Sequence, residues 1–314
     1  MKVVDQPASE ATYGAPGSGA VREHYAADFT RVTGSRPAWT DHGGTPPPYA
    51  SGRPGHDRRT DAGLGAEALP GADLVEFGTG PLRLRYATGL NQDALRELGL
   101  TGYRTVLPGP RTTARLTEAV DTLPELSARA TEVVGDFVGA VVLLKPRPDR
   151  APMGETMSSC SFSRVPFTVF LTGLGLHRLP PGFMFTQPTV YSLQESLFHE
   201  ALLLWLNEVD RITDAFETDR GRATQVFVSW HNAWWSAGRC LRELFVFAHL
   251  PALRAAALER SRGPRRALLA EALRSANACG QELLGSLAVR RELFTPAGLE
   301  LLDSLAPLLP RQRP

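Results

Sequence analysis

The chain has 314 residues, of which 43% are hydrophobic and 21% charged, so it is long enough for one large hydrophobic core or two small ones and we expect a globular fold. Lys and Arg together number 34 against 33 for Asp and Glu, so no basic field favours a nucleic-acid partner. No stretch reaches the roughly 18 consecutive apolar residues that a membrane span needs, so we expect no membrane partner either.

The three cysteines are predicted to be free thiols. Cys160, Cys240 and Cys279 are odd in number and far apart, and no CxxC pair is present. This pattern argues against both a disulfide scaffold and a structural zinc site. Because the N-terminus also lacks a charged region followed by an apolar run, the expected location is the cytoplasm.

Residues 1–72 are predicted to form a mobile or loosely docked arm. From Ala8 onward this stretch is dense in Gly, Pro, Ser, Asp and Thr, as in GGTPPPYASGRPG. Its apolar residues are too sparse to offset the entropy lost on ordering. We therefore expect one α+β domain over residues 73–314, with strands mainly in 73–186 and helices in 187–314.

The first part of this domain reads as strands with a few helices. ADLVEF and PLRLRYAT alternate in strand fashion and predict a hairpin that turns at Pro81. Helices are expected over 91–100 and over the segment that starts near Thr112, with an interruption at Pro124. FVGAVVLLK, PFTVFLT and GFMFT predict three further strands.

Everything after residue 187 reads as helical. SLQESLFHEALLLWLNEVDRI and AWWSAGRCLRELFVFAHLPALRAAALERS both keep apolar residues at helical spacing. RRALLAEALRSANACGQELLGSL and PAGLELLDSLAPLL predict two more helices, the latter with Thr295 as its cap. The expected fold is α+β and mostly α, with a small β element of the N-terminal half packed on a C-terminal helical domain.

His199 and Glu200 begin the pattern of a metal-binding HExxH helix. In such a helix two histidines one turn apart bind one ion, and the glutamate acts as a base or orients a ligand. The second histidine position is occupied by Leu203, which cannot bind a metal. His199 is therefore the strongest candidate ligand, and the missing ones must come from elsewhere or be absent.

Segments around this helix follow a longer order. The serine-rich MSSCSFSRVPF precedes the helix, and VSWHNAWW and then LRELFVF follow it. This order resembles that of a bacterial HExxH-motif family, whose members include iron- and 2-oxoglutarate-dependent peptide β-hydroxylases encoded beside ribosomally made peptide natural products. The resemblance spans roughly Val134 to Leu309. It implies an Fe(II) and 2-oxoglutarate site and a tailoring function on a peptide or carrier-bound amino acid.

The departures from the family pattern fall where the chemistry is expected. Leu203 replaces the second histidine, and Arg242 stands where a downstream histidine would complete the iron site. A facial iron site needs two histidines and a carboxylate. His231 is the best substitute ligand, with a packed histidine beside Trp230 as the alternative. The cofactors are therefore either Fe(II) and 2-oxoglutarate or none.

Arg242 has two interpretations. Its guanidinium could occupy the former metal position and pair with Glu200 or Glu195, or bind a carboxylate ligand, in which case Glu200 and Arg242 are the catalytic candidates. Alternatively, Arg242 lies on the solvent face and pairs with Glu243 or Glu259.

The substrate-binding candidates are two serines and two tryptophans. Ser159 and Ser161 would line a pocket, as the resemblance implies, and Trp230 and Trp235 would form either core or a groove for a peptide side chain. Two functions remain open. One is a tailoring enzyme that oxidises a peptide or carrier-bound residue. The other is a non-catalytic member of the fold that binds a peptide or a partner enzyme.

Overall fold

The computed structural model describes residues 73–80, 82–88, 90, 92–148, 157–162 and 165–310. The predicted arm, residues 1–72, lies outside these residues. The described chain is α+β and mostly α, with a small mixed sheet in the N-terminal half followed by long helices, as the sequence predicts. Among the described helices, none is both long enough and apolar enough to cross a bilayer.

The described residues of the N-terminal half form six strands and three helices. Strands β1 to β6 are Asp73–Phe77, Leu84–Thr88, Tyr103–Thr105, Ala140–Pro146, Ser159–Phe162 and Val165–Thr172. Helices α1 to α3 are Gln92–Glu97, Pro110–Leu126 and Ala128–Phe137. The predicted β1–β2 hairpin is present, with Asp73 opposite Thr88 and Phe77 opposite Leu84.

The six strands form one mixed sheet in the order β1-β2-β4-β6-β5, with β3 paired to β4. The β2–β4 and β4–β6 pairs are parallel, and the others are antiparallel. Side chains alternate along β4: Val141 belongs to the larger core cluster, and Val142 belongs to a smaller cluster together with Leu95 of α1. Both faces of the sheet are therefore covered by apolar residues.

The break between α2 and α3 differs from the sequence prediction. Helix α2 continues through Pro124 to Leu126, and the chain becomes extended at Ser127, with φ −159° and ψ 113°. The Ser127 hydroxyl accepts a hydrogen bond from Ala130 N at 3.1 Å and so caps α3. The break is set by this N-cap rather than by the proline.

Up to Pro310, where the described part of the chain ends, the C-terminal half forms five helices and two small hairpins. Helices α4 to α8 are Val190–Thr213, Asp219–Ala223, Ala237–Glu259, Gly263–Ala288 and Pro296–Leu305. Strands β7 to β10 are Arg178–Leu179, Phe183–Met184, Gln225–Val228 and Ala233–Ser236. β7 pairs with β8, and β9 pairs with β10, both antiparallel.

The β9–β10 hairpin corrects the expectation that everything after residue 187 is helical. Its tip is a short 3-10 turn at Ser229–His231, and Asn232 after it adopts a left-handed conformation with φ 47°. Inward and outward residues alternate along the strands, so Val226 and Trp235 are buried while Phe227 and Trp234 are exposed. The following helix α6 starts only at Ala237.

Helix α4 is the central element of the helical half. Nearly every residue from Tyr191 to Leu206 is buried, including the polar Gln194, Glu195 and Glu200. A buried polar side chain is costly unless it has a hydrogen-bond partner. Gln194 donates to Ala119 O at 3.1 Å, which ties α4 to α2.

Glu195 of α4 forms a fully buried ion pair with Arg254 of α6. Arg254 Nε lies 3.1 Å from Glu195 Oε2, and the Tyr191 hydroxyl donates to the same oxygen at 2.7 Å. The remaining guanidinium N–H groups donate to Ala272 O at 2.6 Å and to Pro180 O at 2.5 Å. One guanidinium therefore joins α4, α6, α7 and the loop after β7.

Arg254→Met is expected to lower the free energy of unfolding by about 3–5 kcal/mol, because it leaves the Glu195 carboxylate buried without its countercharge. The measurement is urea unfolding followed by circular dichroism. Arg274→Met, which breaks the exposed pair with Glu271, is the control and should cost less than about 1 kcal/mol. Equal small losses in both variants would contradict a structural role for the buried pair.

Candidate functional site

A cavity of about 280 Å³ lies between β5, β7, α4, the β9–β10 hairpin and the start of α6. We call it the His199 cavity. Five of the residues singled out from the sequence line it: Ser159, His199, Trp230, His231 and Trp235. The fold thus brings together the serine-rich segment, the motif helix and the tryptophan stretch, which are far apart in the chain.

Glu200 lies behind His199 and is almost fully buried, with its side chain 1% exposed against 13% for His199. Glu200 Oε1 is 3.2 Å from His199 Nδ1. Because an ionised carboxylate can only accept, the Nδ1–H of His199 is the donor. The other ring nitrogen, Nε2, therefore carries whatever interaction His199 makes with a molecule in the cavity.

Strand β5 supplies one hydroxyl group to the Glu200 carboxylate and places a second serine on the same face of the strand. Ser159 and Ser161 point to one face of the strand because they are two residues apart, while Cys160 between them packs on the opposite cluster. Ser159 Oγ donates to Glu200 Oε1 at 2.7 Å. Ser161 Oγ and Glu200 Oε2 are both buried without a hydrogen bond of ordinary geometry among the described residues.

The pKa values of His199 and Glu200 shift in opposite directions. Burial by itself lowers the pKa of His199, but the hydrogen bond and negative charge of Glu200, helped by Glu243 and Glu195, raise it above 6.5. Burial by itself raises the pKa of Glu200, but His199 and the two serine hydroxyls lower it below 4.5. Both effects favour an imidazolium–carboxylate pair.

Arg242 does not lie in the cavity. Its side chain is exposed, and the cavity-facing residues of α6 are its neighbours Arg239 and Glu243. The interpretation in which its guanidinium replaces a metal is therefore wrong. The buried arginine that pairs with Glu195 is Arg254, three helical turns further along α6.

The donor set does not fit a facial iron site. Leu203, one turn after His199, is buried in the core and offers no ligand atom, whereas the bond from His199 Nδ1 to Glu200 leaves Nε2 as a possible ligand. His231 and Glu243 line the cavity, but among the described residues no three His, Cys, Asp or Glu side chains converge as metal ligands. We therefore assign no step to iron or to 2-oxoglutarate.

Trp230 and Trp235 form an aromatic wall of the cavity, and packing and hydrogen bonds outside the cavity hold this wall in place. Trp230 and Trp235 meet edge to face, with ring centroids 5.1 Å apart, and Trp230 also contacts Phe247 at 5.9 Å. Glu282 of α7 fixes the hairpin tip, because its two oxygens accept from Ser229 N and Ser229 Oγ, each at 2.6 Å. The wall is therefore anchored to a long helix.

Four cavity residues share one stripe of the chain at a spacing of four. Trp235, Arg239, Glu243 and Phe247 all line the cavity. Side chains four apart lie above one another on a helix, so the spacing of Arg239, Glu243 and Phe247 within α6 could have identified Arg239 and Phe247 from sequence. Trp235 belongs to β10, so its place in the same wall depends on the fold.

No protein-family model and no curated protein matches the sequence. The resemblance to the HExxH-motif family therefore stays a prediction based on residue order.

A pH test addresses the His199–Glu200 pair. A pKa that is raised on folding stabilises the protein below the unfolded value of about 6.5, and that stability is lost as pH rises through the folded value. His199→Asn keeps an N–H donor near Glu200 and removes the titration. The stability difference between wild type and this variant should therefore shrink as pH rises from about 6 to 9.

The measurement is urea unfolding of both proteins at several pH values. Taking the difference between them cancels His249, whose pKa is lowered by burial to about 4, and Asp136, whose pKa is raised by burial to about 7. A difference that stays constant or grows with pH would contradict a raised pKa of His199.

Proposed function

We propose that the protein binds a peptide in the His199 cavity, as a non-catalytic member of a peptide-tailoring system. In segment order it resembles the HExxH-type peptide hydroxylases, and it acts without their iron site. The observation that carries the proposal is the cavity itself, in which Trp230 and Phe247 form an aromatic wall beside His199, with a leucine at the second ligand position.

The shape and lining of the cavity support a peptide side chain as the occupant. About 280 Å³ is near the lower end of small-molecule sites and accommodates one residue of a peptide rather than a large cofactor. Trp230, Trp235 and Phe247 offer apolar and aromatic surface, and His199 Nε2 offers a polar contact. The lining as a whole is more polar than apolar, so polar contacts would orient a ligand whose apolar side chain lies against the aromatic wall.

The proposed setting is the cytoplasm. All three cysteines are free, and Cys240 and Cys279 are buried. Unpaired thiols are typical of a reducing compartment. The peptide could be free or held by a carrier protein, and a partner enzyme could act on it after binding.

A second function has one observation in its favour. His231 and Glu243 line the same cavity as His199, so an iron- and 2-oxoglutarate-dependent oxygenase with substitute ligands is the competing proposal. Metal content separates the two. We expect well under one equivalent of iron or zinc in wild-type protein purified without chelators, and no change in His199→Ala. Near-stoichiometric iron that is lost in His199→Ala would contradict the binding proposal.

Peptide binding is tested by calorimetric titration of the full chain with N-acetylated tripeptides ending in Phe or Leu. Trp230→Ala, which removes part of the cavity wall, should weaken binding about tenfold or more, since a buried aromatic contact is lost. Trp234→Ala is the matched control, because Trp234 is 65% exposed on the opposite side of the same hairpin. Equal effects of the two variants, or no binding at all, would contradict the proposal.

A further inference from the structure

Arg239 occupies an unusual position at the rim of the His199 cavity. It lies in the first turn of α6, where its backbone N–H donates to the capping Ser236 hydroxyl at 3.2 Å. Its guanidinium carbon is 3.9 Å from the centroid of the Trp235 ring, within cation–π distance. Its side chain is exposed and lines the cavity.

The surface beneath this guanidinium is rigid. Trp235 is 4% exposed and is held by Trp230 on one side and by His231, whose ring centroid is 5.0 Å away. Stacking on a fixed ring restricts the guanidinium plane and leaves its N–H edge available. Less side-chain entropy is then lost when a ligand binds to that edge.

Arg239 has no countercharge within the described part of the chain: its guanidinium forms no ion pair there. This sets it apart from the buried Arg254 and from Arg222, which pairs with Asp210. Glu243 lies one turn along the same helix, and its negative charge acts on His199. An unpaired planar cation at a cavity rim is a recognition group for a planar anion.

We propose that the peptide held in the His199 cavity presents a carboxylate, its own C-terminus, to the guanidinium of Arg239. The two oxygens of a carboxylate match the two parallel N–H groups of an arginine edge. The apolar side chain of the terminal residue then lies against Trp230 and Phe247. This inference rests on the proposed function and adds the chemical class of the ligand.

The test compares N-acetyl-Ala-Ala-Phe carrying a free carboxylate with the same tripeptide as a C-terminal carboxamide, by calorimetric titration of the full chain. The acid should bind about tenfold to a hundredfold more tightly, which is the range of a charge-assisted hydrogen-bonded pair. Arg239→Gln should remove this preference. Arg242→Gln, on the same helix but outside the cavity, should retain it.

Each other outcome overturns a defined part of the proposal. Equal affinity for acid and amide rejects carboxylate recognition, and an acid preference that survives Arg239→Gln rejects Arg239 as the group that binds the carboxylate, while peptide binding stands in both cases. Competition by glutarate or inorganic phosphate as strong as by the tripeptide acid rejects the peptide C-terminus as the source of the anion. Absence of binding by both tripeptides rejects the proposed function as well. If Arg239→Gln does not fold, the comparison of the acid and the amide on the wild-type protein still decides whether a carboxylate is recognised.

Discussion

The buried ion pair between Glu195 and Arg254 is the constraint on which the His199 cavity depends. Four N–H donor contacts of one guanidinium reach α4, the backbone of α7 and Pro180. Pro180 is itself part of the cavity wall. The ion pair therefore fixes the distance between helix α4 and the loop that contains Pro180. The cavity depends on this fixed distance.

Helix α4 carries several buried polar side chains, and burial restricts the hydrogen-bond partners that they can have. Each buried polar residue of α4 must find a partner, and the partners lie on different elements: α2 for Gln194, α6 for Glu195 and β5 for Glu200. Glu200 is thus part of the packing as well as of the site. Glu200 Oε1 accepts from both the Ser159 hydroxyl and the His199 ring, so this oxygen links strand β5 to the cavity histidine. Its effect is to orient His199 and to raise the pKa of its ring, which favours the charged form.

Much of the fold could be predicted from sequence because strong periodic patterns coincide with real elements. The β1–β2 hairpin, the buried strand β4 and helices α4, α7 and α8 follow from alternation, apolar runs and caps. The β9–β10 hairpin could not be predicted, because its second strand is compatible with the helix that follows. Its turn also depends on Asn232, a non-glycine residue in a left-handed conformation. Tertiary packing of Trp235 decides between the two.

The site could be predicted in part. Short-range spacing identified His199 and Glu200, and chain order placed Ser159, Trp230 and Trp235 in one region. Which arginine is buried could not be read from sequence, because Arg242 and Arg254 both lie on one long helix and differ only in the face they occupy. A difference of one residue in register separates the exposed Arg242 from the cavity-facing Glu243, and only the packed helix determines that register.

The central claim is that the His199 cavity binds a peptide and no metal, and NMR spectra of the His199 ring test it most directly. Long-range ¹H–¹⁵N correlation spectra of the imidazole distinguish a ring that carries protons on both nitrogens from one whose Nε2 is bound to a metal. We expect Nδ1 to remain protonated and the His199 signals to be unchanged by one equivalent of Zn²⁺, and to shift when N-acetyl-Ala-Ala-Phe is added. His199 signals that shift on addition of Zn²⁺ but not on addition of the peptide would contradict peptide binding and support a metal site.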